Sequence, residues 1–163
     1  VLGAIDTFSD YSPEGLVMGI GSNMMRREIV RRLGGLAHDL WQRAIHPDVV
    51  IAPSVNIGRG AVIAAGAVVN PDTYLGDHII INTGATVDHD CHIGDFVHIA
   101  PGAHIAGGVR ISEGALLGIG SVAIPGSAIG EWATVGAGAV VIDDIPDRVV
   151  AAGIPARWSL KEE

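Results

Sequence analysis

The sequence predicts a mainly β chain: a parallel β-solenoid of six-residue units, preceded by a short α/β segment. Three observations carry this. Stepping by six from Ile45 gives Ile45, Ile51, Ile57, Ile63, Val69, Leu75, Ile81, Val87, Ile93, Ile99, Ile105, Ile111, Leu117, Ala123, Ile129, Val135 and Val141. Of these 17 residues 16 are Ile, Leu or Val, although those types make up 47 of 163, so chance would give about five. Four residues after each comes a smaller position, as in Ala61, Ala67, Ala85, Cys91, Ala103 and Ala115. Glycine, aspartate, asparagine and proline collect in the slots between, as in "IGRGAV", "LGDHII" and "VGAGAV".

A unit of this kind fits neither the 3.6-residue period of a helix nor simple strand alternation. It suits a strand of two or three residues followed by a turn, three such units closing a triangular coil of 18 residues. Parallel stacking at about 4.8 Å per strand then lines up internal ladders, one of them Ile45, Ile63, Ile81, Ile99, Leu117 and Val135. Each coil buries its apolar edge only against its neighbours. The register from 45 to 141 carries no insertion, so no large loop leaves the prism.

Three regions follow. Residues 1–44 precede the repeat; there "GLVMGIGSNMMRREIVRRLGG" (Gly15 to Gly35) reads as a strand, a glycine turn with Ser22 or Asn23 as helix N-cap, and an amphipathic helix stopped by Gly34-Gly35. That is half of a βαβ unit, a partial Rossmann-like segment. Residues 45–146 form the β-helix. Residues 147–163 leave the six-residue lattice at Asp147, and Pro155 helps to make them a turn-rich tail.

Composition narrows the function. A formal net charge of -8 argues against a general nucleic-acid binder, which needs a basic surface to displace counterions. One cysteine excludes an internal disulfide and a four-cysteine zinc site. No apolar run approaches the roughly 18 residues of a membrane span, and the expected location is the cytoplasm. The chain opens at Val1 rather than Met, in what reads as a strand or turn, so an N-terminal portion is expected to be missing.

The chemistry concentrates in "VDHDCHIGDFVH", Val87 to His98. Cys91 takes the small inward position, as a buried hydrophobe. His92, His98 and His104 look like a metal triplet, but equivalent positions in successive units fall on three faces of the prism and point about 120° apart. No metal site is expected. His89 sits at a turn beside Asp88 and Asp90, and a histidine with a carboxylate neighbour is a suitable general base near neutral pH.

From Ile20 to Trp158 the chain resembles the bacterial nucleotide-sugar acyltransferases of the left-handed parallel β-helix superfamily. That group includes sialic acid O-acetyltransferases and N-acetyltransferases of UDP- or GDP-linked 4-amino-4,6-dideoxy sugars of the bacillosamine and perosamine type. The segments that carry the resemblance are "IGSNMMRREI", "IHPDVVIAPS", "INTGATVDHDCHIGDFVHIAPGAHIAGGVRI", "LLGIGSVAIPG" and "GIPAR". It implies a homotrimer with sites between subunits, acetyl-CoA as donor, and direct acetyl transfer to a sugar 4-amino group without metal. His89 matches the general base and Asp90 the acidic residue that orients it. His98 matches a second histidine near the thioester, Asn82 the asparagine of the substrate pocket, and Gly107 a glycine whose N–H bonds the acetyl carbonyl. Gly21, Ser22, Asn23 and Arg26 match the nucleotide-sugar side of the site. Gly153, Pro155 and Arg157, with Arg110 and Arg148, are the candidates for coenzyme A. The rival readings are O-acetylation of a sugar hydroxyl, a non-catalytic trimeric scaffold, and, last, a metal-dependent hydratase.

Overall fold

The computed structural model describes residues 3–160; Val1, where the sequence reading begins its strand or turn, and residues 161–163 of the tail lie outside the described residues. From Ala44–Ile45 to Val140–Val141 run 17 two-residue strands, one per six-residue unit. Strands three units apart pair in parallel, so that Ile63 lies beside Ile81, Ile81 beside Ile99, and Ile99 beside Leu117. Three flat sheets result. The first face stacks Ala44–Ile45, Val62–Ile63, Ile80–Ile81, His98–Ile99, Leu116–Leu117 and Thr134–Val135; the second runs from Val50–Ile51 to Val140–Val141, and the third from Asn56–Ile57 to Ala128–Ile129. The second residue of each strand points inward, and Leu75, Ile81, Val87, Ile93, Ile99 and Leu117 are fully buried. The period of six is thus the spacing of one inward side chain per strand.

From Gly60 to Gly138 each corner places one residue in the left-handed backbone region. Glycine takes most of these positions, where it avoids the clash of a Cβ with the carbonyl. Asp72, His78, Asp90, Phe96 and Trp132 take the others, and three of these are rings on one corner.

The segment before the β-helix is small. Its α1 helix (Asn23–Leu33) starts at Ser22, whose hydroxyl accepts the Met25 N–H at 3.4 Å, and stops at Gly34, φ 58°. Leu16 and Trp41 flank it as a single parallel bridge, so a Rossmann-like layer is not distinct among the described residues. Met18, Leu33, Ala37 and Trp41 make its own apolar core.

Beyond Val141 the lattice shortens by two residues rather than ending. Ile145 bridges to Ile129, and Val150 pairs with Thr134, each 16 residues back instead of 18. The expected turn-rich tail is a β-hairpin: Val149–Ala152 continues the first face in parallel and Arg157–Leu160 returns antiparallel. Its turn bonds the last strand of the second face, through Val140 N–H to Gly153 O at 3.1 Å and Ala156 N–H to Val140 O at 2.8 Å.

Candidate active site

His89 stands at the corner between the second and third faces. The Asp88 carboxylate accepts the His89 backbone N–H at 2.8 Å and the Asn70 amide at 3.0 Å, which fixes the turn. Asp90 follows with φ 57°, a conformation aspartate tolerates better than most residues. It brings its Oδ2 to 2.7 Å from His89 Nδ1. A carboxylate accepts only, so Nδ1 carries the proton and Nε2 is left with its lone pair. The hydrogen bond to Asp90 raises the imidazole above its ordinary value, and the charge of Asp88 acts in the same sense. The side chain is 61% exposed, so this lone pair is open to a substrate.

The next coil supplies the floor. A Cβ built on Gly107 would lie 2.8 Å from both Nε2 and Cε1 of His89, so the ring rests against the glycine backbone. The Gly107 carbonyl accepts from Gly126 N–H at 3.0 Å, while its own N–H makes no hydrogen bond among the described residues. The His89 ring and a glycine whose N–H makes no hydrogen bond among the described residues are thus neighbours at one corner. Cys91 lies inward of the same turn; its thiol donates to Ala106 O at 3.2 Å, and burial raises its pKa.

A second cluster surrounds His98 on the first face. Asn82 Nδ2 lies 3.1 Å from His98 Nε2, and His98 Nδ1 lies 3.3 Å from Gly21 O. Burial, then the charge of Arg26, lowers the His98 pKa and favours the neutral ring. Gly21, Ser22, Asn23, Met24 and His98 line a groove of about 440 Å³ with Leu116, Trp132 and Thr134. Asn23 Nδ2 donates to Gly114 O and Ala115 O, both at 3.0 Å. Arg26 is 1% exposed, and burial lowers its pKa to about 10. It donates to the carbonyls of His78, Ile20, Gly21, Phe96 and Val97, all five within 3.4 Å. In this chain the Arg26 guanidinium, expected on the substrate side, ties α1 to the β-helix, and all five of its N–H donors are used.

The residues that anchor α1 escaped the sequence reading. Gly60, His78, Phe96, Gly114 and Trp132 form one corner column at intervals of 18. The His78 ring lies over Gly60 and the Trp132 ring over Gly114, where a Cβ would collide with each ring. His78 stacks on Phe96 at 5.3 Å between ring centres, and Trp41 meets its edge at 4.9 Å. Arg27 lies 4.2 Å above Trp132 and 3.6 Å from Glu113. The left-handed backbone costs about 1 kcal/mol or more at each ring, so tertiary packing must hold these positions. Rings and glycines recurring every 18 residues are the signal that reveals them.

The other candidates are dispersed. His92, His98 and His104 stand on the third, first and second faces respectively. Among the described residues no group of three or more His, Cys, Asp or Glu is arranged to hold a metal ion. Arg110 is exposed on the third face in register with His92, which stacks on Tyr74 at 4.7 Å. Arg148 holds φ 59°, and its N–H bonds Glu131 O at 2.8 Å. Gly153, φ 96°, and Pro155, after a cis peptide bond, form the hairpin turn; Arg157 pairs with Asp143 at 3.3 Å. Within one chain the structure joins His89, Asp90 and Gly107 at one corner and Asn82, His98, Gly21, Asn23 and Arg26 at another. Among the described residues no helix is long and apolar enough to cross a membrane.

Solved structures similar to this chain include an acetyltransferase domain and a GDP-perosamine N-acetyltransferase. The acetyltransferase domain of PglB from Neisseria gonorrhoeae is 42% identical, with 89% of this chain and 70% of that one covered and a TM-score of 0.84. PerB from Caulobacter crescentus, solved with CoA and GDP-perosamine, is 41% identical over 96% of this chain and 75% of that one, with a TM-score of 0.90. Two variants of that GDP-perosamine N-acetyltransferase, a histidine replaced by alanine or asparagine, were also solved with the same two molecules. WeeI from Acinetobacter baumannii is 29% identical over 93% of this chain and 76% of that one, at a TM-score of 0.83. No protein-family model matches the chain, and no curated protein does.

Proposed function

The chain belongs to the hexapeptide-repeat sugar acetyltransferases, and from that premise we propose that it transfers the acetyl group of acetyl-CoA to the 4-amino group of a nucleotide-linked deoxyamino sugar. His89 is the general base. The observation that carries this reading is the His89 imidazole, bonded through Nδ1 to Asp90 and resting on Gly107.

Acetyl-CoA supplies the acetyl group as a thioester, already activated for attack. His89 Nε2 takes the proton from the sugar amine as its nitrogen attacks the thioester carbon, and Asp90 holds the ring and balances the imidazolium charge. The tetrahedral intermediate then collapses with cleavage of the C–S bond, and the imidazolium returns the proton to the departing coenzyme A thiolate, leaving the amide and the free thiol. The Gly107 N–H faces the position where negative charge develops on the acetyl oxygen; a single donor of this kind is worth a factor of about 10² to 10³. Asn82 and the groove lined by Gly21 and Asn23 take the sugar side. Coenzyme A runs towards the hairpin, where Gly153, Pro155 and Arg157, with Arg110 and Arg148, meet its phosphates. Residues 1–44 serve as part of a nucleotide-sugar-binding unit.

The proposed assembly is a homotrimer in which His89 of one chain and His98 of its neighbour share a groove. The presence of acetyl-CoA and nucleotide sugars as substrates supports a cytoplasmic site of action. The test is thiol release from acetyl-CoA with a panel of amino-sugar nucleotides. His89→Ala is expected to lower turnover by a factor on the order of 10² or more, with the oligomer unchanged by light scattering. Near-normal turnover in that variant defeats the assignment.

A further inference from the structure

The hydrogen bonds around His98 fix its tautomer. Asn82 Oδ1 accepts from the Thr83 N–H at 2.8 Å, so the end of its amide that faces His98 is Nδ2, a donor. His98 Nε2 therefore accepts, and the proton sits on Nδ1, where Gly21 O receives it. Both ends of the ring give the same answer, and the tautomer needs the two contacts together. The Gly21 carbonyl is in turn held by Arg26 Nη1 at 2.9 Å, while the rest of the Arg26 fork grips Ile20 and the corner carbonyls of His78, Phe96 and Val97.

We propose that Arg26 is a positioning residue that acts through the Gly21 carbonyl to hold His98, whose ring lines the groove, in the Nδ1–H form, with Nε2 kept as the acceptor of the Asn82 amide. The inference rests on the acetyltransferase reading only for its catalytic consequence; the tautomer stands on geometry. Arg26 is suited to the task because its rigid, always charged fork bonds carbonyls on both the N-terminal segment and the β-helix, which a lysine's single ammonium does not. Among the groups packed against His98, Arg26 on α1 is the charged one; Asn82 on the preceding coil and Leu116 and Thr134 on the following ones carry no charge. The burial and the guanidinium act together to keep the ring neutral.

Long-range proton–nitrogen spectra of the ¹⁵N-labelled full chain read the tautomer directly. The wild-type protein is expected to show His98 protonated at Nδ1 and bare at Nε2, and to keep that form at a pH where an ordinary histidine is charged. Arg26→Lys keeps a charge but loses the fork, and is expected to release His98 into a mixture of tautomers and lower kcat/KM by a factor on the order of 10. A bare Nδ1 in the wild type overturns the proposal, whether or not the variant folds. So does a wild-type His98 pattern in folded Arg26→Lys. His98→Ala tests the underlying reading separately: normal turnover there sinks the catalytic part of the proposal, whatever the spectra show.

Discussion

Gly107→Ala is the sharpest probe of the site, because it adds one methyl group and alters no polar atom. The backbone at Gly107 is outside the left-handed region, so alanine is tolerated there without strain. The new Cβ would lie 2.8 Å from Nε2 and Cε1 of His89, where ordinary contacts begin at 3.4 Å. The exposed imidazole must retreat by about 0.6 Å or swing away, and either movement lengthens the 2.7 Å bond to Asp90. Misplacement of about 1 Å at a reacting group costs a factor on the order of 10². A fall in kcat/KM of about 30-fold to 100-fold is therefore expected by thiol release from acetyl-CoA. Stability should barely change, since the three atoms nearest the methyl all belong to the exposed His89 ring. Gly108→Ala is the control: it forces alanine to φ 70° and meets no side chain within 4 Å, so it should cost stability more than turnover. Gly107→Ala with kcat/KM within a factor of about two of wild type refutes the idea that His89 works against this glycine.

Two further outcomes follow from the same structure. The Asp90 hydrogen bond is the largest cause raising the His89 pKa, and the base acts when neutral, so kcat/KM should rise with pH through a limb above the ordinary histidine value. In Asp90→Asn that limb should move to lower pH while the plateau falls by a factor on the order of 10²; an unmoved limb argues against His89 as the titrating group. Ile99→Ala removes a fully buried side chain between Ile81 and Leu117. It should destabilise the chain by about 3 kcal/mol in urea unfolding, and a loss below about 1 kcal/mol would mean that the coil collapses around the cavity.

The β-helix was legible because its cause is local: every six residues one side chain must point inward, and Ile45 to Val141 record this without interruption. Cys91 and the separation of His92, His98 and His104 followed from the same lattice. The hairpin was not legible, because the removal of two residues after Val141 looks like loss of the repeat unless pairing to Ile129 and Thr134 is known. The partners of Arg26 were not legible for a related reason. The sequence places Arg26 on the nucleotide-sugar side by its match to the family segment, and only the fold reveals that three of the five carbonyls that take its donors lie 52 to 71 residues away. His78, Phe96 and Trp132 shared a register of 18, but the N-terminal segment they receive lies outside the repeat.

A stack of parallel coils is also a template for growth. Its last rung offers free amides and carbonyls at a spacing that another copy could continue, which invites filaments. Here the hairpin closes that opening. Arg157–Leu160 presents the first face with a strand of reversed polarity, and the Gly153–Ala156 turn occupies the Val140 groups that would bond a further rung of the second. The two residues lost from the lattice thus act as a terminator: they let the chain fold back on its own end and make the assembly finite.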